Sequence, residues 1–445
     1  MSNFSSKELG TKPIGRLILS QSVPAAIGIL VMSLNMLVDT IFVGNWIGSD
    51  AIAAITIVMP ITFLIASFGM AIGIGGSSIV SRAFGANNDE KANHVFGNQI
   101  MTSVTIALIL LVLGFLFQDQ ALLLFGAKGS ILEPARDYFS IVLVGIPFLA
   151  LFMTGNPVIR AVGKPIFAMV AMLIPSVANI ILDYIFIVRM DLGMSGAAWA
   201  TTISYASAFG FIVWFFLSKH SELKIRIKWL KFEWEYVKEI ASLGGVTLAR
   251  QGVVSLLSII LNHLLYNYGG AVSITVYGII SRVLMFALFP VMGIAQGFMP
   301  IIGYNYGANN FVRVSETIKK SILYASILAL IVFVFIMVFP TELVSVFTKD
   351  LKVLEQTPNA LRMVFLITPL IAIQLIGSAY FQAVGKARLA LILTLTKQGF
   401  FLIPLILILP NFLGLIGVWL AFPIADFCAT ALTAYFLRRE MKQFK

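Results

Sequence analysis

The sequence predicts an all-α polytopic membrane protein with twelve transmembrane helices in two pseudo-symmetric six-helix bundles. Three observations predict it: the apolar composition, an uneven distribution of basic residues, and an internal repeat. Hydrophobic residues make up 59% and charged residues 11% of the 445 residues, whereas soluble domains carry about 25% charged residues. The single cysteine, Cys428, excludes a disulfide framework and a cysteine-based zinc site.

Apolar segments near the ~20 residues that cross a bilayer recur along the whole chain. Several are longer than one perpendicular crossing requires, which is typical of tilted helices. The predicted spans are 17–43, 51–81, 93–117, 138–161, 166–188, 196–217, 240–267, 271–302, 318–340, 361–384, 389–410 and 413–437.

Basic residues are concentrated at the termini and in the loops that follow even-numbered helices. Fewer of the 31 Lys and Arg residues lie in the opposite loops, namely Lys128, Arg136, Arg189, Lys349, Lys352 and Arg362. The positive-inside rule then predicts a multi-pass membrane protein with both termini in the cytoplasm. The net charge of +11 therefore reflects topology, and we expect no nucleic-acid partner.

The longest connection, 218–239, reads SKHSELKIRIKWLKFEWEYVKE. It is basic and amphipathic, which predicts a helix on the cytoplasmic membrane surface. It would join an N-lobe at 1–217, with helices 1–6, to a C-lobe at 240–445, with helices 7–12.

The two halves repeat each other at a shift of 222 residues. FGANN at 84–88 matches YGANN at 306–310, and AVGK at 161–164 matches AVGK at 383–386. Six spans per repeat is an even number, so both halves enter the membrane in the same direction, as in parallel-repeat transporters. The repeat favours alternating-access transport.

Three acids lie within predicted spans: Asp39, Asp183 and Asp426. A charge near the bilayer centre costs roughly 2.5–3.5 kcal/mol on insertion scales, so each acid needs a reason to be there. At the 222 shift Asp39 corresponds to Leu261 and Asp183 to Leu405. The second half therefore lacks both acids, and the two lobes differ in charge.

The acids of the first half have polar neighbours on the same helical faces. Asn35 precedes Asp39 by four residues, and Asn179 precedes Asp183 by four. Other polar residues on nearby helices are Asn156, Thr201 and Thr202. Carboxylate, amide and hydroxyl oxygens suit a proton or a hard cation, so Na⁺ could bind at the two acids. The alternative is that each acid is a structural hydrogen-bonding group.

Asp426 has possible partners in its own half. Arg250 and Lys397 also lie within spans, and a buried charge without a partner is costly. We therefore expect a structural ion pair at Asp426, while Arg250 could instead face the cavity.

Pro24 lies within helix 1, fifteen residues before Asp39, and removes a backbone hydrogen bond there. A kink at Pro24 that responds to the charge state of Asp39 would act as a hinge. The alternative is a static kink.

A substrate cavity is expected from aromatic, methionine and amide residues. Methionine and aromatic side chains favour bulky, often cationic ligands, although the same residues are normal in a bundle core. The candidates are Asn35, Gln251, Tyr266, Tyr277, Met285, Met292 and Gln296.

Four motifs in their order resemble the multidrug and toxic compound extrusion (MATE) family. They are LVDTIFVG in helix 1, FGANN after helix 2, RAVGKP after helix 4 and NxxxD in helix 5. The resemblance covers nearly the whole chain. It implies a V-shaped pair of six-helix bundles and export of organic cations or drugs by H⁺ or Na⁺ antiport.

The resemblance also implies an ion site in the N-lobe. The residues that correspond to the family's ion-coupling network are Asp39, Asp183, Asn179, Asn156, Thr201 and Tyr138. One branch of the family has acids in helices 7 and 10, but those stretches read LARQGVVSLL and PLIAIQLIGS here. A C-lobe cation site is therefore not expected.

The resemblance thus implies a secondary active multidrug antiporter of a prokaryotic inner or plasma membrane, acting in xenobiotic transport and antibiotic resistance. We expect small, cationic and amphipathic organic substrates, a surrounding of membrane lipids, a monomer, and no cofactor besides the coupling ion. A lipid-linked oligosaccharide or lipid flippase is the alternative, and it would favour a basic central cavity, for which only Arg250 and Arg282 are candidates. A channel or receptor is a third class. An enzyme is not expected, because no catalytic constellation is present.

Overall fold

The computed structural model of this chain describes residues 6–444, and within that range it contains helices and their connections but no strands. Long apolar segments form helices in a membrane because a helix satisfies its own backbone hydrogen bonds. The helices group into two units. Unit 1 comprises Pro24–Thr247 and the residues up to Thr11, and unit 2 comprises Lys12–Val23 and the residues from Leu248 onward.

Unit 1 contains the first eight helices of the chain, apart from the N-terminal part of the second helix. In chain order the helices are α1 (Glu8–Thr11), α2 (Ile14–Trp46), α3 (Ser49–Gly85), α4 (Asp89–Leu116), α5 (Gln118–Leu124), α6 (Leu132–Ala161), α7 (Pro165–Asp183) and α8 (Gly193–Leu217). A π-helical turn at Tyr184–Arg189 extends α7.

Unit 2 contains most of the remaining helices. They are α9 (Trp234–Gly307), α10 (Phe311–Val338), α11 (Pro340–Ser345), α12 (Leu351–Val364), α13 (Ile371–Ala383), α14 (Ala387–Leu395), α15 (Ile403–Ile408), α16 (Pro410–Leu413) and α17 (Leu415–Met441). A second π-helical turn, Thr396–Leu402, joins α14 to α15.

Eleven helical segments of the described residues are long and apolar enough to cross a membrane. One of them, α9, has 74 residues and contains both predicted spans 240–267 and 271–302. Its helix is interrupted at Gly270, where φ is 65° and ψ is −164°. Glycine adopts this conformation readily because it has no Cβ. With this break counted, the eleven segments correspond to the twelve predicted spans.

The two copies of the sequence repeat share the conformation of one turn and the cap of the helix that follows it. Asn87 and Asn309, which are 222 residues apart, both have φ of 55°. The next residue caps the following helix in each repeat: the Asn88 side chain accepts a hydrogen bond from the Lys91 amide, and the Asn310 side chain accepts one from the Arg313 amide. The capped helices α4 and α10 each have 28 residues.

Two long helices each contribute residues to both units. In α2, the residues up to Val23 belong to unit 2 and those from Pro24 belong to unit 1. Pro24 has no amide hydrogen, so the helix lacks one backbone hydrogen bond at this boundary. In α9, the boundary lies between Thr247 and Leu248.

Within unit 1, two glycines allow α3 and α6 to pack closely. A Cβ on Gly69 would lie 2.6 Å from the Ala150 carbonyl oxygen, and one on Gly73 would lie 2.7 Å from the Met153 carbonyl oxygen. The Thr154 hydroxyl of α6 donates a hydrogen bond to the Gly69 carbonyl over 3.1 Å. Small residues that bring helix backbones together are typical of membrane bundles.

The connection between α8 and α9 differs from its prediction. Residues 218–233 are not an α-helix; they run in an irregular path with one 3₁₀ turn at Ile227–Trp229. The alternation of basic and apolar residues in KIRIK favours an extended chain, and Arg226 has extended angles of −132° and 138°. The predicted surface helix was therefore wrong for 218–233, and helix begins only at Trp234.

The ion pair predicted at Asp426 is confirmed. The Lys397 ammonium nitrogen, in the π-helical turn after α14, lies 2.7 Å from an Asp426 carboxylate oxygen of α17. The two side chains are 20% and 4% exposed. Both groups belong to unit 2, and each offsets the cost of burying the other.

Asp426→Asn should lower the free energy of unfolding by about 3–5 kcal/mol, because it leaves the buried Lys397 charge without its counter-charge. Replacing both residues, as Lys397→Met with Asp426→Leu, should recover most of that loss. Unfolding in detergent measured by circular dichroism checks both changes.

The matched control is Asp119→Asn, which breaks an ion pair with Arg136 whose side chains are both 49% exposed. Exposed pairs contribute about 0–1 kcal/mol. An equal loss of stability in the two single variants would show that burial does not govern the Asp426 pair.

Candidate functional site

Asn35 and Asp39 share one face of α2, as their four-residue spacing predicts. The Asn35 amide nitrogen donates a hydrogen bond to the Asn179 side-chain oxygen of α7 over 3.0 Å. This bond joins α2 to α7 one helical turn away from the acids.

The facing side of α7 carries Ser176, Asn179 and Asp183, which are spaced by three and four residues along the helix. Asn179 is 4% exposed and Asp183 is fully buried. Regular α-helix ends at Asp183, and the π-helical turn Tyr184–Arg189 follows directly. Such turns are frequent at functional sites because they alter the direction of neighbouring side chains.

The carboxyl groups of Asp39 and Asp183 lie within hydrogen-bonding reach of each other. Among the described residues, no donor satisfies either buried oxygen of Asp183 or the buried Oδ1 of Asp39. A buried polar atom without a partner is costly. The pair can therefore gain free energy from a proton or from a cation with oxygen ligands.

Helices α6 and α8 contribute hydroxyl groups beside the acids. The Tyr138 hydroxyl of α6 is 3.5 Å from the Thr201 hydroxyl of α8. Tyr205 lies one turn after Thr201, and its ring borders Gly145 of α6, where a Cβ would come within 3.3 Å of that ring. The small residue at position 145 thus leaves room for the Tyr205 ring.

These residues surround a cavity of about 200 Å³ inside unit 1. Its walls are mostly methionine, aromatic and aliphatic side chains, and its polar groups are the two asparagines, Asp39 and several hydroxyls. The lining residues are Met32, Asn35, Met36, Asp39, Ile55, Met59, Thr62, Phe63, Ala66, Tyr138, Val142, Leu149, Phe152, Met153, Pro175, Ser176, Asn179, Thr201, Ser204 and Tyr205.

Most of the residues predicted for the ion site come together here. Asp39, Asn179, Thr201 and Tyr138 line the cavity, and the fully buried Asp183 lies within hydrogen-bonding reach of Asp39. Asn35, predicted for the substrate cavity, also lines it. Asn156 does not: its amide donates a hydrogen bond to the Ala168 carbonyl over 2.8 Å and thereby ties α6 to α7.

The structure does not bring the second-half candidates into this cavity. All six are carried by α9 in unit 2, namely Gln251, Tyr266, Tyr277, Met285, Met292 and Gln296. Tyr277 packs against the core of unit 2, with its ring 6.3 Å from that of Phe422. Tyr266 is exposed over 62% of its surface.

The sequence did not predict most of the residues that line the cavity. Tyr205 could have been found from its spacing of four residues after Thr201. Met32, Met36, Met59 and Met153 could not, because methionine is common throughout an apolar helix and gives no signal of its orientation. Ser176 could have been found from its place on the face of Asn179 and Asp183.

The arrangement can bind cations but offers no cluster for a transition metal. No group of three or more His, Cys, Asp or Glu residues that could hold a metal occurs in the part of the chain that the structure describes. Polarisable methionine and aromatic rings attract flat organic cations. The cavity, together with the Asp183 carboxyl group within reach of Asp39, therefore offers oxygen atoms for a small ion and an apolar lining for an organic cation.

Comparison with known families gives a clear match. The family described as MatE matches this chain twice, over residues 24–185 and 248–408. The two stretches begin at Pro24 and Leu248, which are also the first residues of the long segments of unit 1 and unit 2.

Similar proteins cover nearly the full chain. The multidrug export protein MepA of Staphylococcus aureus (strain MSSA476) is 29% identical over 432 residues, which cover 96% of this chain and 95% of MepA. A structure of the MATE multidrug transporter DinF-BH with a bound ligand is 39% identical, has a TM-score of 0.90 and covers 98% of both chains. A crystal structure of a MATE protein in a bent conformation is 27% identical, with a TM-score of 0.93 and coverage of 99% and 98%.

Proposed function

This chain belongs to the MatE family of multidrug efflux transporters, and from that membership we propose that it exchanges organic cations for H⁺ or Na⁺ bound in unit 1. One observation carries the proposal. Asp39 lines a mostly apolar cavity and lies within hydrogen-bonding reach of the fully buried Asp183, and no described donor satisfies either Asp183 oxygen or the buried Oδ1 of Asp39.

The coupling ion would be held by Asp39 and Asp183. Asn179, Thr201 and Tyr138 would supply further oxygen atoms or hydrogen bonds around it, because they line the same cavity. Oxygen-only ligands suit hard ions such as Na⁺, and a carboxyl pair can equally share a proton. Asn156 would not contact the ion, but its hydrogen bond to the Ala168 carbonyl would fix α6 against α7.

The substrate would be a small, amphipathic organic cation. Its charge would be attracted by Asp39, and its apolar surface would contact Met32, Met59, Phe63 and Phe152. Methionine side chains adapt to differently shaped ligands, which favours a broad substrate range. No Lys, Arg or His lines the described cavity, so it fits the anionic headgroup of an oligosaccharide-lipid poorly and disfavours the flippase alternative.

Coupling follows from the shared cavity. Two ligands influence each other when both shift one conformational equilibrium. Here the ion and the organic cation would compete for the same negative charge, so arrival of one would favour release of the other. Alternating access would move this exchange between the two sides of the membrane.

Pro24 would be the hinge of this movement. It is the first residue of α2 that belongs to unit 1, and it lacks the amide hydrogen that would continue the helix. The same helix carries Asp39, so a change in the charge of that acid could alter the packing of α2.

Two further properties are part of the proposal. Both termini would lie in the cytoplasm, since the basic residues are concentrated at the termini and in the loops on that side. The protein would also act as a monomer within the lipid.

Asp39→Asn should reduce drug efflux to the level of cells without the protein, because it removes the charge while keeping the side-chain size. Ethidium accumulation and drug susceptibility of expressing cells measure the loss. Asp50→Asn is the control, since Asp50 is exposed at the start of α3. Full resistance in the Asp39 variant at normal expression would remove Asp39 from the mechanism.

Purified protein in proteoliposomes should move ethidium in response to an imposed Na⁺ gradient or an imposed pH gradient, with the responding gradient identifying the coupling ion. Asp183→Asn should abolish that response, because the ion would lose one of its two carboxyl ligands. Fluorescence of trapped ethidium reports the movement. Equal movement with and without either gradient would refute antiport.

Pro24→Ala should preserve binding of ethidium but slow its transport, because a restored backbone hydrogen bond stiffens α2 at the unit boundary. Fluorescence anisotropy measures binding, and proteoliposome assays measure the rate. Pro60→Ala is the control, because Pro60 interrupts α3 wholly inside unit 1. An unchanged rate in the Pro24 variant would show a static kink.

A further inference from the structure

The segment 218–233, called here the connector, belongs to unit 1 and is held against α4 by its backbone. The Lys224 amide donates a hydrogen bond to the Asn93 side chain over 3.2 Å, and the Glu233 amide donates one to the Asn98 side chain over 2.8 Å. The Glu233 carboxylate also lies 2.5 Å from the His94 ring nitrogen. Two points of the connector are therefore attached to α4.

Its inner side chains extend this attachment. The Trp229 ring contacts the His94 ring edge-on, with centroids 4.6 Å apart. Residue 97 of α4 must be glycine for the connector to pack this closely, because a Cβ there would lie 2.0 Å from the Trp229 carbonyl oxygen. Leu223 is fully buried. The connector thus has a fixed inner side, and its opposite side is presented outward in a defined orientation.

The outer side is unusually apolar for an exposed surface. Ile227 is 88% exposed, Phe232 is 54% exposed, and Trp234, the first residue of α9, is 76% exposed. A tryptophan with this exposure is typical of the boundary between lipid and water.

The exposed residues of the connector are also basic. Residues 224–232 contain Lys224, Arg226, Lys228 and Lys231 and no acid. Arg226, Lys228 and Lys231 are exposed, and none of them forms an ion pair within residues 6–444. The Lys228 ammonium nitrogen lies 3.9 Å from the centroid of the Trp229 ring, a contact that leaves its positive charge unneutralised. The charges of all three residues are thus available to an anionic partner.

The position of the connector indicates which kind of anionic partner it contacts. It joins the end of α8 at Leu217 to the start of α9 at Trp234 and contacts the first turns of α4, so it lies where membrane-spanning helices leave the bilayer. At this level of the membrane, the basic side chains of the segment can contact lipid headgroups, and its exposed aromatic and aliphatic side chains can contact acyl chains.

We propose that the connector is a binding surface for anionic phospholipids. Arg226, Lys228 and Lys231 contact the lipid phosphates, while Ile227, Phe232 and Trp234 enter the upper acyl region. The attachment to α4 keeps this side facing the bilayer. The proposal concerns the lipid around the protein and is independent of the coupling ion and the exported substrate.

The single cysteine makes a direct test possible. In a Cys428→Ser background, Ile227→Cys carries a spin label, and power saturation compares its access to oxygen and to a water-soluble nickel complex. Nanodiscs of phosphatidylcholine alone are compared with nanodiscs that also contain phosphatidylglycerol. We expect the label at position 227 to move from the aqueous range to the range of the upper acyl region when phosphatidylglycerol is present.

Neutralising the connector should abolish that shift. The variant R226Q/K228Q/K231Q should keep the label in the aqueous range in both kinds of nanodisc. The control R438Q/R439Q/K442Q removes the same number of charges from the end of the chain and should retain the shift. These are surface substitutions, and the comparison of lipids in the unsubstituted connector does not depend on them.

Three outcomes would overturn the proposal. The label could remain aqueous whatever the lipid, which would leave the connector in water. It could be shielded equally in both nanodiscs, which would indicate a protein contact or a charge-independent position. Both triple variants could lose the shift equally, which would assign the effect to net charge rather than to this surface.

Discussion

The cost of keeping two carboxyl groups inside an apolar bundle is the constraint on which unit 1 depends. Asp39 and Asp183 are brought together by α2 and α7, and their oxygens lack donors among the described residues. Asp426 is only 4% exposed, and the Lys397 ammonium nitrogen lies 2.7 Å from its carboxylate and neutralises it. A permanently neutralised acid is structural, whereas an acid pair without a counter-charge gains stability only when a proton or cation arrives. That difference makes the first pair a candidate for coupling.

The duplication explains why the two units resemble each other in backbone and differ in chemistry. The turns at Asn87 and Asn309 share one left-handed conformation, and the helices that follow them have equal length. Turn geometry and helix capping therefore persist in both copies. The acids occur only in the first copy, since Leu261 and Leu405 occupy the corresponding positions. Both leucines pack in or against the core of unit 2, and Leu261 is fully buried.

The connector has a backbone conformation that the sequence pattern did not predict. Its basic and apolar alternation led to the prediction of a membrane-surface helix, but residues 218–233 are not helical. The Lys224 and Glu233 amides donate hydrogen bonds to the Asn93 and Asn98 side chains of α4, and these bonds hold the backbone in an irregular path. These partners are more than 130 residues away in the chain. Local periodicity carries no information about such contacts.

The sequence by itself determined the membrane-spanning class, the number of spans, the repeat and the two acid-bearing helix faces. These features follow from hydropathy and from spacing along one helix, which a helix of fixed pitch converts directly into geometry. Only the tertiary structure decided that α2 meets α7 so that the acids touch, that Tyr205 and the methionines complete the cavity, and that Asn156 bonds to the backbone instead. In a membrane bundle nearly every helix face is apolar, so hydrophobicity cannot specify how each helix is rotated. Close packing at residues such as Gly69, Gly73 and Gly145 fixes that rotation.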